Sequence, residues 1–230
     1  MLTIRNLQVE YKKQSLILKG ITLSMESGKI HGIVGLNGAG KTTLLNTFYG
    51  FIRPVEGSIL YNDNPLHRRN IAYLEAENYF YPYMTGHEYL DLFPAGENGF
   101  QVDNWQKLFN IPLNDITENY STGMKKKLAL LGVLKPDKPI LILDEPFNGL
   151  DLESAHILTL ILQQLREKGR TVLATSHVFE TLTSGCDYIH HINNGMIEQS
   201  YSKEQFGMLK KLLFSTIEKQ TSEQIKELIR

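Results

Sequence analysis

The chain has 230 residues, of which 42% are hydrophobic and 21% charged, a composition that excludes wholesale disorder and fits one large domain or one domain with a modest insert. The 24 Lys and Arg residues nearly cancel the 25 Asp and Glu residues, so no basic stripe is available for a nucleic-acid partner. The single cysteine, Cys186, excludes an internal disulfide, and no run of ~18 apolar residues is present that could span a bilayer. Together with an N-terminus that lacks the apolar core of a signal peptide, these features predict a soluble cytosolic domain.

The first third of the chain predicts strands and one helix. Alternating or short apolar runs, typical of strands, occupy residues 4–11, 21–25, 29–34, 57–61 and 71–74. A glycine-rich turn separates the third of these runs from a helical stretch at 41–48. Residues 62–65, which follow the fourth run, have the composition of a turn.

The middle of the chain predicts a helical insert over about residues 85–134. Residues 85–88 form a capping box, the pattern that commonly starts a helix. A loop is predicted at 94–99 and a further short helix at 104–109. Ser121 then precedes apolar residues at helical spacing, so a third helix is expected to begin there.

The last third alternates strands and helices again. Apolar runs predict strands at 140–143, 171–175, 187–192 and 196–199. A helix is predicted at 154–168, and residues 193–195 (Asn-Asn-Gly) between the last two strands are a hairpin signal. The tail at 203–230 has a helical pattern. Strands that alternate with helices predict an α/β fold with a largely parallel central sheet.

A phosphate-binding motif lies between the third predicted strand and the first predicted helix. Residues 35–42 match the pattern G-x-x-x-x-G-K-[ST] in full. The glycines let the backbone wrap so that its N–H groups face the phosphates, and the following helix adds its positive end. In such a site Lys41 reaches the β- and γ-phosphates, and Thr42 ligates Mg²⁺. The residues predicted to contact the nucleotide here are Gly35, Leu36, Asn37, Gly38, Ala39, Gly40, Lys41, Thr42 and Thr43.

Three further residues follow predicted strands and complete a catalytic site. An apolar run ends in Asp144, which would hold Mg²⁺, and in Glu145, which would polarise the attacking water. His177 follows the next strand, and at the carboxyl end of a parallel strand it faces the same crevice and can contact the γ-phosphate. We therefore predict Lys41, Glu145 and His177 as catalytic residues. The pair at 190–191, on a strand with no cysteine or paired carboxylate nearby, is interpreted as structural.

The order of these motifs resembles that of the ATP-binding subunit of an ABC transporter. Besides the residues above, the resemblance includes Tyr-Ser-Thr-Gly-Met-Lys at 120–125 and Asn-Gly-Leu-Asp at 148–151, and it covers roughly residues 1–199. It implies a P-loop NTPase fold with an N-terminal antiparallel β region and a small helical insert that carries the signature sequence. We divide the chain accordingly into an ATP-binding domain at 1–200 and a helical tail at 201–230.

The resemblance also implies roles for residues whose chemistry is not evident from their motif alone. Tyr11 occupies the place of an aromatic residue that stacks on adenine; otherwise it is an ordinary edge aromatic. Ser121 and Gly123 match the signature sequence, which in the family binds the γ-phosphate held by the other subunit, although Ser121 also has the character of a helix N-cap. Asp151 belongs to the loop that links the two catalytic sites of a dimer.

Four positions depart from the family pattern: Tyr120, Thr122 and Met124 in the signature sequence, and Ala76. Met124 replaces the usual glutamine of the signature, and Ala76 stands where a glutamine normally follows its strand, flanked by Glu75 and Glu77. Either a glutamate takes over the contact to Mg²⁺, or both glutamates are solvated loop residues that face the membrane partner; we favour the second reading because added negative charge beside a triphosphate is unfavourable. The lysines at 125–127 are interpreted as a solvated helix face.

The function implied by the resemblance is that of an ATPase with ATP and Mg²⁺ as its ligands. The chain would form a dimer with a second, identical ATP-binding subunit around two ATP molecules. It would power a separate membrane-spanning subunit from the inner face of the cell membrane, with export of a drug, bacteriocin or ion as the expected direction. A soluble ATP switch of the same superfamily is one alternative, but such proteins need long coiled coils or two tandem ATPase modules, and neither fits in 230 residues. A small-molecule kinase is the other, and it would leave residues 121–125 and His177 without a role.

Overall fold

The computed structural model describes residues 1–11, 15–97 and 99–229. Asn98, within the predicted loop, and Arg230, at the end of the predicted tail, lie outside these residues. The strands are β1 (Leu2–Glu10), β2 (Leu16–Met25), β3 (Ile30–Val34), β4 (Glu56–Tyr61), β5 (Asn64–Pro65), β6 (Ile71–Leu74), β7 (Ile140–Leu143), β8 (Thr171–Thr175), β9 (Tyr188–Asn193) and β10 (Met196–Ser202). The helices are α1 (Lys41–Tyr49), α2 (Gly86–Asp91), α3 (Val102–Phe109), α4 (Thr122–Leu134), α5 (Leu152–Glu167), α6 (Phe179–Gly185) and α7 (Phe206–Leu228).

The central sheet has the strand order β10-β9-β3-β8-β7-β6. All neighbouring pairs are parallel except β9 and β10, which form the predicted hairpin. Every residue of β3, β7 and β8 is buried, because helices or the second sheet cover both faces, and this is why these strands are continuous apolar runs. The predicted α/β fold with a mostly parallel sheet is confirmed.

The two faces of the central sheet pack against different elements. Along β7, Ile140 and Ile142 point towards α1 and the antiparallel sheet, whereas Leu141 and Leu143 point towards α4, α5 and the C-terminal helices. The side-chain alternation of a strand thus supplies one buried layer on each side. The carboxyl ends of the parallel strands are left at one edge of the sheet, between these layers.

The predicted N-terminal antiparallel β region is present as a second sheet. Its strand order is β2-β1-β4-β5. Its strand β2 begins at Leu16, whereas the sequence predicted a start at Ile21. The pairing of β1 with β2 shifts register next to Gly20, whose φ is 86°. A bulge at a glycine interrupts the apolar alternation, and the first half of the strand is therefore hidden from a pattern-based prediction.

The helical insert forms as predicted, and its first helix has the expected capping box. Thr85 Oγ1 accepts a hydrogen bond of 3.3 Å from the backbone N–H of Glu88, whose carboxylate accepts one of 2.8 Å from the N–H of Thr85. One helix was not predicted: α6, which has only seven residues and contains Thr, Ser and Gly, all weak helix formers. Its Phe179 and Leu182 are buried, so tertiary packing determines it.

The C-terminal helix α7 follows a short 3-10 turn at Lys203–Gln205. Phe206 and Leu209 are buried in the same core as α4 and α5, so the first turns of the tail pack onto the domain. The division of the chain near residue 200 stays a prediction. Within the part of the chain that the structure describes, no helix combines the length and apolar character needed to cross a bilayer.

Candidate functional site

The phosphate-binding motif forms a loop between β3 and α1. A Cβ atom at Gly35 would collide with the backbone oxygen of Ile192, so only glycine allows the loop to pass this close to β9. At the other end, Gly40 has a φ of 106°, a conformation that side chains rarely adopt, and the helix begins at the next residue, Lys41. The strand–loop–helix arrangement predicted for the motif is confirmed.

Lys41 is buried within this loop. Its Nζ donates hydrogen bonds to the backbone oxygens of Gly35 (2.8 Å) and Leu36 (3.3 Å). Burial lowers the pKa of Lys41, whereas the negative charges of Glu145 and Asp144 oppose this shift. The ammonium group therefore forms a cationic centre enclosed by the loop, next to the start of a helix that also favours anions.

Thr42 and Asp144 meet at the end of β7. The Thr42 hydroxyl donates a hydrogen bond of 3.1 Å to Asp144 Oδ2, and the Thr175 hydroxyl donates one of 2.6 Å to Asp144 Oδ1. The carboxylate is thus held on one side by β8 and presented on the other beside a hydroxyl oxygen. A hydroxyl and a carboxylate are hard oxygen donors of the kind that Mg²⁺ prefers, so the residues present fit the predicted metal.

Glu145 follows Asp144 in a left-handed backbone conformation, with a φ of 49°. Its Oε2 accepts a hydrogen bond of 3.0 Å from the backbone N–H of His177. Its Oε1 lies 3.2 Å from Nε2 of His177, within ion-pair distance, and accepts no hydrogen bond from the described residues. Burial raises the pKa of Glu145 despite the lowering effect of the His177 N–H. The site therefore contains a desolvated carboxylate, one oxygen of which accepts no hydrogen bond from the described residues.

These groups surround one cavity of about 420 Å³. Its described lining residues are Ile17, Asn37, Gly38, Gly40, Lys41, Thr42, Thr43, Ala76, Asp144, Glu145 and His177. The structure thus brings together the loop, both carboxylates and the histidine that the sequence predicted. Tyr11 lies at the margin: its side chain is 61% exposed, and its hydroxyl is 3.3 Å from Thr43 Oγ1. A ring in this place is free to stack on a base.

The signature residues form a second site, separate from this cavity. Ser121 is the N-cap of α4, where its hydroxyl accepts a hydrogen bond of 3.2 Å from the N–H of Met124. Gly123 lies close to Gly149: a Cβ atom added at Gly123 would lie 2.8 Å from the Gly149 backbone oxygen. Asp151 caps α5 by accepting from the N–H of Ser154 at 2.8 Å.

That hydrogen bond from Ser154, assisted by Lys127, lowers the pKa of Asp151 to about 2. The side chain of Asp151 is exposed, and its Oδ2 lies 3.5 Å from Nζ of Lys127. None of Ser121, Gly123 and Asp151 lines the cavity around Lys41 in the described chain. The sequence-predicted residues therefore fall into two separate groups on the chain, which we name the two half-sites.

Ala76 stands at the position of the absent glutamine. Ala76 lines the cavity, whereas Glu75 and Glu77 are exposed and do not contribute to the described lining. The interpretation of the lysines at 125–127 as a solvated face is wrong for Lys126, which is buried. Spacing alone could not single it out, since Lys125 and Lys127 also stand four residues before buried residues of this helix.

Comparison with known proteins identifies the family. A family model described as ABC transporter matches residues 18–148. This chain belongs to the ABC transporter family. It is 32% identical over 202 residues to an uncharacterised ABC transporter ATP-binding protein, all4389, of Nostoc sp., with 82% of this chain and 60% of the relative covered. It is 30% identical over 190 residues to the ABC transporter ATP-binding protein YtrB of Bacillus subtilis, with 79% and 65% covered.

The fold agrees with that of solved ABC proteins. A structure described as the ATP-binding subunit of an ABC transporter superimposes with a TM-score of 0.85 at 26% identity, covering 94% of this chain and 98% of that one. The predicted family and the P-loop NTPase fold are therefore confirmed. The chain spans 60% and 65% of the lengths of the two ABC relatives named above.

Proposed function

We propose that the chain is the ATP-binding and ATP-hydrolysing subunit of an ABC transporter, working as a dimer that encloses two ATP molecules. The observation that carries this proposal is the meeting of a cationic loop, a Thr42–Asp144 oxygen pair and a desolvated Glu145 in one cavity. A buried carboxylate oxygen that accepts no hydrogen bond costs free energy unless a ligand contacts it. Oε1 of Glu145 therefore favours a catalytic site over a module that only binds nucleotide.

The loop residues bind the triphosphate. Lys41 would exchange its bonds to the loop carbonyls for the β- and γ-phosphate oxygens, and the N-terminus of α1 adds its positive end. Tyr11 would stack on the adenine at the mouth of the cavity. These interactions position the γ-phosphate against the carboxyl ends of β7 and β8, where Glu145 and His177 lie.

Mg²⁺ fits beside Thr42 and Asp144. When bound, the metal ion neutralises charge on the β- and γ-phosphates and so lowers the barrier to attack. Asp144 would hold the ion, either directly or through a water molecule. Thr175 keeps the carboxylate in that orientation by its bond to Oδ1, so the oxygen next to Thr42 remains directed at the cavity.

Glu145 is proposed as the general base. Its Oε1 would accept a proton from the water that attacks the γ-phosphorus, while the bond from that phosphorus to the β–γ bridging oxygen breaks and ADP leaves. Its raised pKa makes the carboxylate a stronger base than one in water. His177 orients Glu145 through its backbone N–H and stands half exposed at the cavity, within reach of the γ-phosphate.

The separation of the two half-sites supports dimerisation. Ser121 caps a helix whose N-terminus is exposed, which favours an anion, yet the cavity with Lys41 lies elsewhere on the chain. A second copy that faces the first would place its Ser121 and Gly123 on the γ-phosphate held by Lys41. Asp151, at the start of α5, would lie between the two sites.

An exposed aromatic segment supports a membrane-spanning partner. Tyr79, Tyr81 and Tyr83 are exposed and stand within a few residues of the cavity residue Ala76. Clustered exposed aromatic residues commonly mark protein interfaces. We propose that a membrane-spanning subunit docks here, which places the chain on the inner face of the cell membrane. Export stays a prediction.

Phosphate release by the purified chain, with Mg²⁺ and ATP but no acceptor substrate, tests this proposal. We expect steady release that Lys41→Ala abolishes and that Lys211→Ala, at an exposed lysine of α7, leaves unchanged. Release that appears only after a small-molecule acceptor is added would instead indicate a kinase. The coupling to transport is tested by reconstitution with the membrane subunit in vesicles, where ATP consumption and substrate movement should both require Lys41.

A further inference from the structure

Lys126 is a buried lysine that the proposed mechanism does not use. Its residue is 5% exposed, on the face of α4 that packs into the core. Its Nζ lies 3.2 Å from the backbone oxygen of Glu75, 3.2 Å from that of Ala76 and 3.5 Å from that of Asp144. The ammonium group has three N–H donors, so each carbonyl can receive one.

The surroundings of this ammonium are carbonyl oxygens rather than carboxylates. In the ion pairs formed by the described residues, Lys126 takes part in none. Burial lowers the pKa of Lys126 to about 8, although the more distant charges of Asp144 and Glu145 oppose the shift. A buried cation is unfavourable unless its donors are satisfied, and the three carbonyls provide that compensation.

Two of the three carbonyls belong to residues that line the catalytic cavity, Ala76 and Asp144, and the third belongs to Glu75, next to Ala76. Glu75 and Ala76 directly follow β6, and Asp144 directly follows β7, so both segments lie at the carboxyl ends of adjacent parallel strands. Ala76 lines the cavity through its own atoms, and Asp144 continues into Glu145. Lys126 therefore joins α4, the helix capped by Ser121, to the backbone that carries the carboxylates.

We propose that Lys126 is a positioning residue for ATP hydrolysis. It holds the backbone of Ala76 and Asp144 at a fixed distance from α4. This inference rests on the proposed ATPase function. By these hydrogen bonds Lys126 keeps Glu145 in a fixed position relative to α4, the helix proposed to contact the ATP held by a second copy of the chain. Ala76, which stands in place of the usual glutamine, has no polar side chain, so Lys126 holds residues 75–76 through their backbone oxygens.

The test compares Lys126→Met with a matched lysine at the end of the same helix. Lys135 also donates to a backbone oxygen, that of Leu90 at 2.7 Å, but away from the cavity. We expect Lys126→Met to lower kcat about 10- to 100-fold, since displacement of a catalytic group by ~1 Å costs up to ~10²-fold, with KM for ATP changed less than about 2-fold. Lys135→Met should leave both constants unchanged, and Lys126→Arg, which keeps the charge and several donors, should restore most of kcat.

The outcomes separate this inference from the function on which it rests. A wild-type chain without ATPase activity would contradict the proposed function itself. An active wild type with unaltered kcat in folded Lys126→Met, or a parallel rise in KM, would overturn the positioning role alone. If Lys126→Met does not fold, Lys126→Gln takes its place: its shorter side chain and two donors cannot serve all three carbonyls, so a partial loss of kcat is expected. A wild-type kcat in that variant would overturn the proposal equally.

Discussion

The hydroxyl of Thr175 donates a 2.6 Å hydrogen bond to Oδ1 of Asp144. The Thr175 hydroxyl oxygen itself accepts a hydrogen bond of 2.9 Å from the backbone N–H of Glu145, so one buried hydroxyl orients both carboxylate-bearing residues. Thr175 belongs to β8 and the two acidic residues follow β7, which makes the relationship a cross-strand one.

Replacement of that hydroxyl tests its role. Thr175→Val keeps the shape but leaves the Glu145 N–H buried without an acceptor, and we expect a loss of about 1–3 kcal/mol in the free energy of unfolding measured in urea. The Asp144 carboxylate also loses a donor, so more Mg²⁺ should be needed for half-maximal turnover. Thr175→Ser, which keeps the hydroxyl, should behave like the wild type in both measurements; equal behaviour of Val and Ser would refute the orienting role.

Glu145→Gln should bind ATP normally but hydrolyse it about 10²- to 10⁴-fold more slowly, because an amide cannot accept the proton of the attacking water. The variant should accumulate as an ATP-bound dimer, detectable by size-exclusion chromatography with light scattering. Phosphate release at the wild-type rate would exclude Glu145 as the base.

Sharing of each site between two chains can be tested with mixed dimers. Ser121→Arg should abolish hydrolysis but retain nucleotide binding, since the defect lies in the half-site offered to the partner. In a mixed dimer with Lys41→Ala chains, one composite site carries both defects and the other carries neither. Partial activity should therefore return, whereas its absence in verified mixed dimers would argue against a shared site.

The two exposed glutamates beside Ala76 are expected to have no part in Mg²⁺ binding. Curves of ATPase activity against Mg²⁺ concentration should superimpose for the wild type, Glu75→Ala and Glu77→Ala, while Asp144→Asn shifts the curve strongly. A higher Mg²⁺ requirement in either alanine variant would mean that a glutamate reaches the metal ion.

A buried histidine pair predicts a loss of stability in acid. His31 Nδ1 lies 3.1 Å from His190 Nε2, and burial lowers the pKa of His31 and brings that of His190 to about 3. The unfolded chain, with a histidine pKa near 6.5, then binds more protons than the folded one below that pH. The free energy of unfolding should fall by up to about 1.4 kcal/mol per pH unit for each histidine as the pH drops from about 6.5. Urea titrations at pH 7.5 and 5.5 check this, and His190→Gln should reduce the slope.

Much of the first half-site could be predicted because each residue is part of a local pattern. The glycines and Lys41 form one contiguous motif, and Asp144 and Glu145 end a strand that is recognisable from its apolar residues. The predicted convergence of His177 on them followed from a general property of parallel sheets. All of this depends on chain neighbours or on sheet topology alone.

The features that could not be predicted depend on packing between distant segments. In the sequence Thr175 is the last residue of a predicted strand. Its contact with Asp144 depends on the pairing of β7 with β8, which the sequence does not show. Lys126 was indistinguishable from its lysine neighbours, because its burial depends on backbone oxygens some 50 positions earlier in the chain. Helix α6 is too short for its periodicity to be recognised, and it forms because Phe179 and Leu182 find a core.

The close approach of Gly123 to the Gly149 oxygen leaves no room for a side chain at position 123, where α4 starts beside the loop before α5. A displacement at such a close approach cannot be absorbed by a change of rotamer at position 123, as it could at a longer side chain. A push on one segment is therefore transmitted to the other with little attenuation. In a pair of such chains, the opening of one catalytic site would be felt at the second through main-chain atoms, and even an alanine at position 123 would act as a wedge that forces the two segments apart.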